Sequence, residues 1–132
     1  MNIQKLLKTL KDANKKLPPN DHELIIYVVN DKDLEKSINI YGNGTKQYPF
    51  MITIRKDSLS KDKISYMKNI KIDKRYSRER GFYEKHYWLS PDEFCLELNA
   101  NGTYVEGVVK ELFKKLWKVK DFSKIDSIIN PV

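Results

Sequence analysis

The segment TYVEGVVKELFKKLWKVK, residues 103–120, constrains the fold more than any other part of the chain. Thr103 and Glu106 have the spacing of a capping box, which predicts that a helix begins at Thr103. The apolar residues that follow recur at steps of three and four, as expected for one stripe of a helix. They are Val105, Val108, Val109, Leu112, Leu116 and Val119. A stripe of this length requires a sheet to cover it.

A second helix is predicted near the N-terminus, over residues 3–17, and Pro18-Pro19 ends it. Its apolar face consists of Ile3, Leu6, Leu7, Leu10 and Leu17, with lysines on the opposite side. A basic amphipathic helix can lie on an anionic membrane, but this one lacks the Trp and Phe anchors of interfacial helices. We therefore expect it to dock on the protein's own sheet.

Three strands are expected between these helices and the middle of the chain. Residues 23–30 are apolar on both faces and predict either a central strand covered on both sides or the first strand under the two helices. Residues 38–41 and 48–55 flank an Asn43-Gly44 pair, which predicts a hairpin with a type I′ turn. Pro49 cannot donate a hydrogen bond, so the second of these strands should lie at an edge or carry a bulge near its start.

The second half of the chain predicts another hairpin. Residues 57–69 fit neither a helix nor a strand well, 70–72 suggest a short strand, and 73–81 an exposed loop. Residues 82–89 and 93–99 are aromatic and alternating, so they predict a hairpin that leads into the helix at Thr103. Residues 123–129 predict a last short helix.

These elements predict an α+β fold over residues 1–132 as a single domain. The expected architecture is a mostly antiparallel sheet of five or six strands, with the N-terminal and C-terminal helices packed on it. Several unrelated functions share this order of elements, so architecture does not select an activity.

The composition favours an anionic partner and argues against several other classes. The net charge is +7, although 21 of the 25 basic residues are lysine, which also serves solubility. One cysteine and two histidines form no disulfide framework and no zinc-finger spacing, so we expect neither a metal nor a cofactor. The longest apolar run, residues 24–29, is too short to span a membrane, and no signal-peptide pattern is present. A cytoplasmic protein is expected.

The strongest candidate binding site is residues 68–80, here called the arginine segment. It contains three of the four arginines of the chain together with lysines and one tyrosine, namely Lys68, Lys71, Lys74, Arg75, Tyr76, Arg78 and Arg80. Guanidinium groups bind phosphate through paired donors and stack on bases, which is typical of nucleic-acid contacts. A solvated loop paired locally with Asp73 and Glu79 is the competing interpretation.

The aromatic hairpin offers a second candidate. A loop over residues 90–93 would place Leu89 opposite Phe94 and His86 opposite Glu97, with Trp88 opposite Cys95. A carboxylate beside a histidine could orient a general acid or base, and a nearby thiol could be a nucleophile. No glycine-rich oxyanion or phosphate loop accompanies this set, so we expect no catalytic residue. Tyr83 and His86 are retained as candidate binding residues.

Three functional hypotheses follow. The first is a nonenzymatic module that engages nucleic acid through the arginine segment. The second is a protein-binding inhibitor or immunity-type protein that uses the aromatic hairpin and the arginines against an acidic protein. The third is a small nuclease-like enzyme built on His86.

Overall fold

A computed structural model describes residues 2–15, 21–29, 36–45, 47–55, 59–68, 83–90, 93–99 and 102–131. The strand predicted at 70–72 and the loop predicted at 73–81 lie outside these residues. For residues 83–90 and 93–99, the description consists of backbone and strand register.

The described elements are the strands of one sheet and the helices that cover it. In chain order they are α1 (Ile3–Ala13), β1 (His22–Val28), β2 (Ser37–Tyr41), β3 (Phe50–Arg55), α2 (Lys61–Lys68), β4 (Tyr83–Ser90), β5 (Glu93–Asn99), α3 (Gly102–Trp117), a 3-10 turn (Phe122–Lys124) and β6 (Ile125–Pro131). Within the described residues, the strands form one antiparallel sheet in the order β4-β5-β3-β2-β1-β6. The predicted α+β class is confirmed.

The core lies between one face of the sheet and the helices. Leu24 of β1 pairs with Ile40 of β2, which pairs with Ile52 of β3, and all three side chains are fully buried. Each helix adds buried apolar residues to the same cluster. From α1 these are Ile3, Leu7 and Leu10, from α2 Met67, and from α3 Val105, Val109, Leu112, Phe113, Leu116 and Trp117. All three helices therefore cover the same face.

Helix α1 docks on the sheet as predicted, but it is shorter than predicted. Asn2 caps its first turn by accepting a hydrogen bond from the Lys5 N–H at 3.0 Å. The helix ends at Ala13 because Asn14 turns its side chain inward, and the Asn14 N–H closes the last turn on the Leu10 carbonyl at 2.9 Å. Pro18-Pro19 is therefore not what stops the helix.

Helix α3 confirms the predicted apolar stripe and adds two aromatic residues to it. Phe113 and Trp117 are buried, with ring centroids 5.3 Å apart. The helix begins at Gly102, one residue before the predicted start, and ends at Trp117 rather than at Lys120. Lys118 follows in the left-handed conformation with φ of 55°, so that Val119 N–H can donate to the Phe113 carbonyl at 3.2 Å.

The connection between β2 and β3 differs from the predicted type I′ turn. Positive φ occurs at Gly42 (87°) and Gly44 (76°), whereas a type I′ turn needs it at Asn43. The Asn43 and Thr45 N–H groups both donate to the Tyr48 carbonyl at 3.2 Å, which makes a wider loop over residues 42–49. Pro49 lies in this loop and not in β3, so it removes no donor from the strand. β3 is accordingly an interior strand between β5 and β2 rather than an edge strand.

The helix predicted over residues 123–129 is wrong. Only one 3-10 turn forms, and β6 then pairs with β1 from Ile125 opposite Val28 to Pro131 opposite His22. Ile125 and Ile129 point to the core side at a period of two, which suits β-branched residues beside an open strand edge. This pairing makes β1 interior. Residues 61–68, which the sequence left unassigned, form α2.

Candidate functional site

The structure places only the beginning of the arginine segment. Lys68 is the last residue of α2, and Lys71, Lys74, Arg75, Tyr76, Arg78 and Arg80 lie outside the described residues. Helix α2 lies beside α3, since burial and then the Glu111 carboxylate of α3 raise the pKa of Tyr66. Lys68, the first residue of the arginine segment, therefore ends a helix whose Met67 is buried in the core on the helical side of the sheet.

The two predicted site residues in β4 have different partners from those expected. Tyr83 pairs with Asn99, and His86 pairs with Leu96 rather than with Glu97. The predicted register holds only at Ser90 opposite Glu93, because a bulge between Trp88 and Ser90 shifts the rest of the strand by one residue. Trp88 is accordingly opposite Phe94, not opposite Cys95.

This shift removes the geometric basis of the His86 hypothesis. Because a one-residue slip moves a strand position to the other face, position 86 does not share a row with position 97. Position 86 instead continues the row formed by Leu96 and Ile52. Positions 86 and 97 are therefore not the directly opposed pair that the sequence predicts.

The outer surface of the helices exposes lysines on α1 and at the end of α3. They are Lys5, Lys8 and Lys11 on α1, and Lys114, Lys115 and Lys118 in or just after the last turn of α3. In the described part of this layer, the ion pairs are Lys15 with Asp12 at 3.4 Å and Lys110 with Glu106 at 3.6 Å. The six exposed lysines have no such partner there and remain available to an external anion.

The lysines of the two helices have different structural explanations. Lys114 and Lys115 lie in the last turn of α3, where a cation is stabilised by the negative end of the helix dipole. Lys5 lies in the first turn of α1, where the dipole disfavours a cation, and this turn contains no acidic residue. Helix stability therefore does not explain Lys5.

A groove of about 590 Å³ lies beside α1 and the start of β6. Its walls combine apolar side chains with hydroxyls and charges from Asn2, Lys5, Leu6, Thr9, Val29, Ser123, Ile125, Asp126 and Ser127. Two of the polar groups are already used locally. Thr9 Oγ1 donates to the Lys5 carbonyl at 3.0 Å, and Asp126 Oδ1 accepts from the Ser127 N–H at 2.7 Å. Lys5 is the cation of this groove.

The face of the sheet opposite the helices carries a hydrogen-bonded cluster of polar side chains. The Asn39 Nδ2 group donates to Glu23 Oε2 at 3.3 Å and to Tyr41 Oη at 3.4 Å, and all three residues are half-buried. Asp126 lies on this face too, since it pairs with Tyr27 and alternates with core-facing Ile125. Carboxylates lie on both sides of the sheet, since Asp12, Asp62 and Glu111 are exposed on the helices. No pattern in the amino-acid sequence indicates the Asn39 cluster.

Among the described residues, no group of three or more His, Cys, Asp or Glu side chains could hold a metal ion. Among the same residues, no helix has both the length and the apolar character that crossing a membrane requires. No protein-family model, curated protein or solved structure matches this chain.

Proposed function

We propose that the protein is a cytoplasmic, nonenzymatic binding module that engages nucleic acid through the arginine segment. One observation carries the proposal. The helical side of the sheet exposes lysines without an ion-pair partner in the described residues, six of them on α1 and at the end of α3, and α2 on that same side ends at Lys68, where the arginine segment begins. A polyanion that binds the arginines can therefore also contact these lysines.

Phosphate is the chemical group that fits this arrangement. Arginine provides paired donors for phosphate oxygens, and lysine provides point charges that release counterions from a polyanion. Contacts of this kind give affinity with little dependence on base sequence. We therefore expect binding to many sequences, with a steep dependence on salt.

The test is a set of binding titrations at several salt concentrations with DNA and RNA probes. Replacing Arg75, Arg78 and Arg80 with Gln should flatten the dependence of log K on log salt by up to ~3 units, about one per lost phosphate contact. Lys36→Gln, Lys120→Gln and Lys124→Gln together, all outside the three helices, form a control with the same net charge. Equal losses in both variants would remove the arginine segment as the binding site, and no binding by the parent at physiological salt would remove nucleic acid as the partner.

A second candidate function, binding to an acidic protein, is favoured by the position of β4. Among the described strands, β4 is an edge of the sheet and belongs to the aromatic hairpin, so a partner strand can pair along it. Such a partner would co-purify in a fixed ratio and would survive nuclease treatment. Nucleic-acid binding predicts the opposite result, because nuclease then removes the captured material.

A further inference from the structure

We propose that Lys5, Lys8 and Lys11, here called the lysine stripe, form a second contact surface that binds the phosphates of a nucleic-acid duplex. The three residues are exposed and lie along one side of α1 at three-residue intervals. At 1.5 Å per residue they extend over about 9 Å of the helix axis, which matches a few phosphates of one strand. This inference rests on the proposed function.

The burial of the apolar face of α1 argues against an anionic membrane as the partner of the lysine stripe. Ile3, Leu7 and Leu10 are at most 2% exposed, because they pack into the core. An interfacial helix must insert its apolar face among lipids, and α1 has no apolar face left to insert. Only its charged side is available, which suits a polyanion with accessible phosphates.

The position of Lys5 in the first turn of α1 also supports a binding role. The Asn2 side chain accepts from the Lys5 N–H, so Lys5 occupies the third helical position, where a glutamate would complete a capping box. A lysine there works against the helix dipole and has no carboxylate partner in the described residues. A residue that disfavours its own element without local compensation is expected at functional sites.

The absence of aromatic residues from α1 favours a duplex over a single strand as the partner of the lysine stripe. Proteins that bind single strands stack bases on exposed aromatic side chains. Helix α1 contains no aromatic residue, and Phe113 and Trp117 of α3 are buried in the core. Lysines without stacking partners favour the polymer with the higher charge density, which is the duplex.

The experiment compares the parent with a triple variant in which Lys5, Lys8 and Lys11 are all Gln. The probes are a 24-base-pair DNA duplex and one of its separated strands, each titrated at several salt concentrations. The variant should bind the duplex about 10-fold or more weakly, with a salt slope smaller by up to ~3 units, and should lose less affinity for the single strand. The Lys36, Lys120 and Lys124 triple variant, whose changes lie outside the three helices, is the charge-matched control and should retain duplex binding.

The outcomes separate the two proposals. If the arginine variant loses binding while the lysine-stripe variant keeps it, the stripe is wrong and the proposed function stands. If the parent binds neither probe, both fail. Equal losses in the stripe variant and its control would show that overall charge, not this surface, determines affinity, and would overturn the inference.

A single substitution separates a binding role from a structural one. Lys5→Glu should raise the melting temperature, because it completes the capping box, and should weaken duplex binding at the same time. A structural role for Lys5 would instead lower the melting temperature. Unchanged duplex affinity in this variant would contradict the stripe.

Discussion

A single buried amide, Asn14, joins the end of α1 to two strands. Its side chain accepts from the His22 N–H at 3.0 Å and donates to the carbonyls of His22 at 3.2 Å and Gly42 at 2.9 Å, and the residue is only 1% exposed. The sequence could not reveal this role. Asn14 precedes two lysines in a polar stretch, and its burial depends on residues that are distant in the chain.

Replacing Asn14 with Ala should destabilise the protein by about 2–4 kcal/mol, because three hydrogen bonds are lost and buried backbone groups are left without partners. Urea denaturation of the parent and variant measures the difference. Lys15→Ala, at the exposed neighbouring position, is the control and should change stability by less than about 0.5 kcal/mol. A similarly small change in the Asn14 variant would contradict the assigned role.

Two glycines should respond to alanine in opposite directions. A Cβ atom at Gly42 would clash with the Pro49 carbonyl oxygen, at a φ of 87°, so Gly42→Ala should destabilise the protein by about 1 kcal/mol or more. A Cβ atom at Gly107 meets nothing within 4 Å in an exposed position of α3, so Gly107→Ala should stabilise by about 1 kcal/mol. Thermal unfolding checks both signs.

At the scale of elements, sequence periodicity predicted those helices and strands whose structure depends mainly on the local sequence. The stripe of α3 repeats at a helical period, so its buried face could be assigned directly, whereas β1, β2 and β3 were located from their apolar content and the turn residues between them. Residues 123–129 were predicted as a helix because Ile125, Ile128 and Ile129 have helical spacing. Pairing with β1 instead makes them part of a strand in which Ile125 and Ile129 face the core and Ile128 is exposed. The bulge at Trp88 also escaped prediction, since no glycine or proline marks it.

Leu112 of α3 tests how much the helix contributes to the core. It is fully buried among residues of the sheet and helices, so Leu112→Ala should cost about 2–5 kcal/mol as a large-to-small core substitution. Exposed Lys115→Ala in the same helix is the matched control and should have little effect. Chemical denaturation measures both, and equal midpoints would contradict the packing of α3.

The packing of α2 against α3 should be visible at alkaline pH. Burial, and then the Glu111 carboxylate, raise the pKa of Tyr66 above its usual value near 10. The resulting stabilisation is fully present below the unfolded-state pKa and is lost as pH rises through the higher folded-state pKa. Stability should therefore fall less steeply above about pH 10 in Tyr66→Phe than in the parent.

A spectrophotometric titration supplies the direct check on Tyr66. The difference between the parent and Tyr66→Phe isolates one tyrosine that ionises late, and Glu111→Gln should shift its ionisation to lower pH by removing the neighbouring charge. If Glu111→Gln leaves this titration unchanged, α2 does not lie beside α3 as described.

At the scale of the whole molecule, function and fold differ in how far sequence predicts them. The arginine segment was found from composition alone, because clustered arginines stand out among lysines. The outward side of α1 was predicted from its apolar periodicity, and the burial of Ile3, Leu7 and Leu10 confirms it. The Asn2 cap beside Lys5 needed the structure.

The same topology leaves β6 as a sheet edge, and its outward backbone groups are largely occupied. Val29 N–H donates to the Lys124 carbonyl at 2.8 Å, which fixes the alternation and turns residues 125, 127, 129 and 131 away from β1. The Ile125 N–H donates to Phe122, the Ser127 N–H donates to the Asp126 side chain, and Pro131 has no N–H. Of these four outward positions, only Ile129 keeps a free donor, so β6 resists pairing with another strand.

Removing the Asp126 acceptor and Pro131 should allow the β6 edges of two molecules to pair. In the double variant Asp126→Ala and Pro131→Thr, the Ser127 N–H is released and position 131 gains a donor, so two β6 edges can pair. Sedimentation velocity over a range of concentrations should show a shift to larger species relative to the parent. Asp121→Ala is the matched control, because Asp121 likewise accepts from a neighbouring backbone N–H, that of Ser123 at 3.0 Å, but lies before the strand. If the double variant, with an unchanged circular dichroism spectrum, sediments like the parent and the control, these groups do not protect the edge.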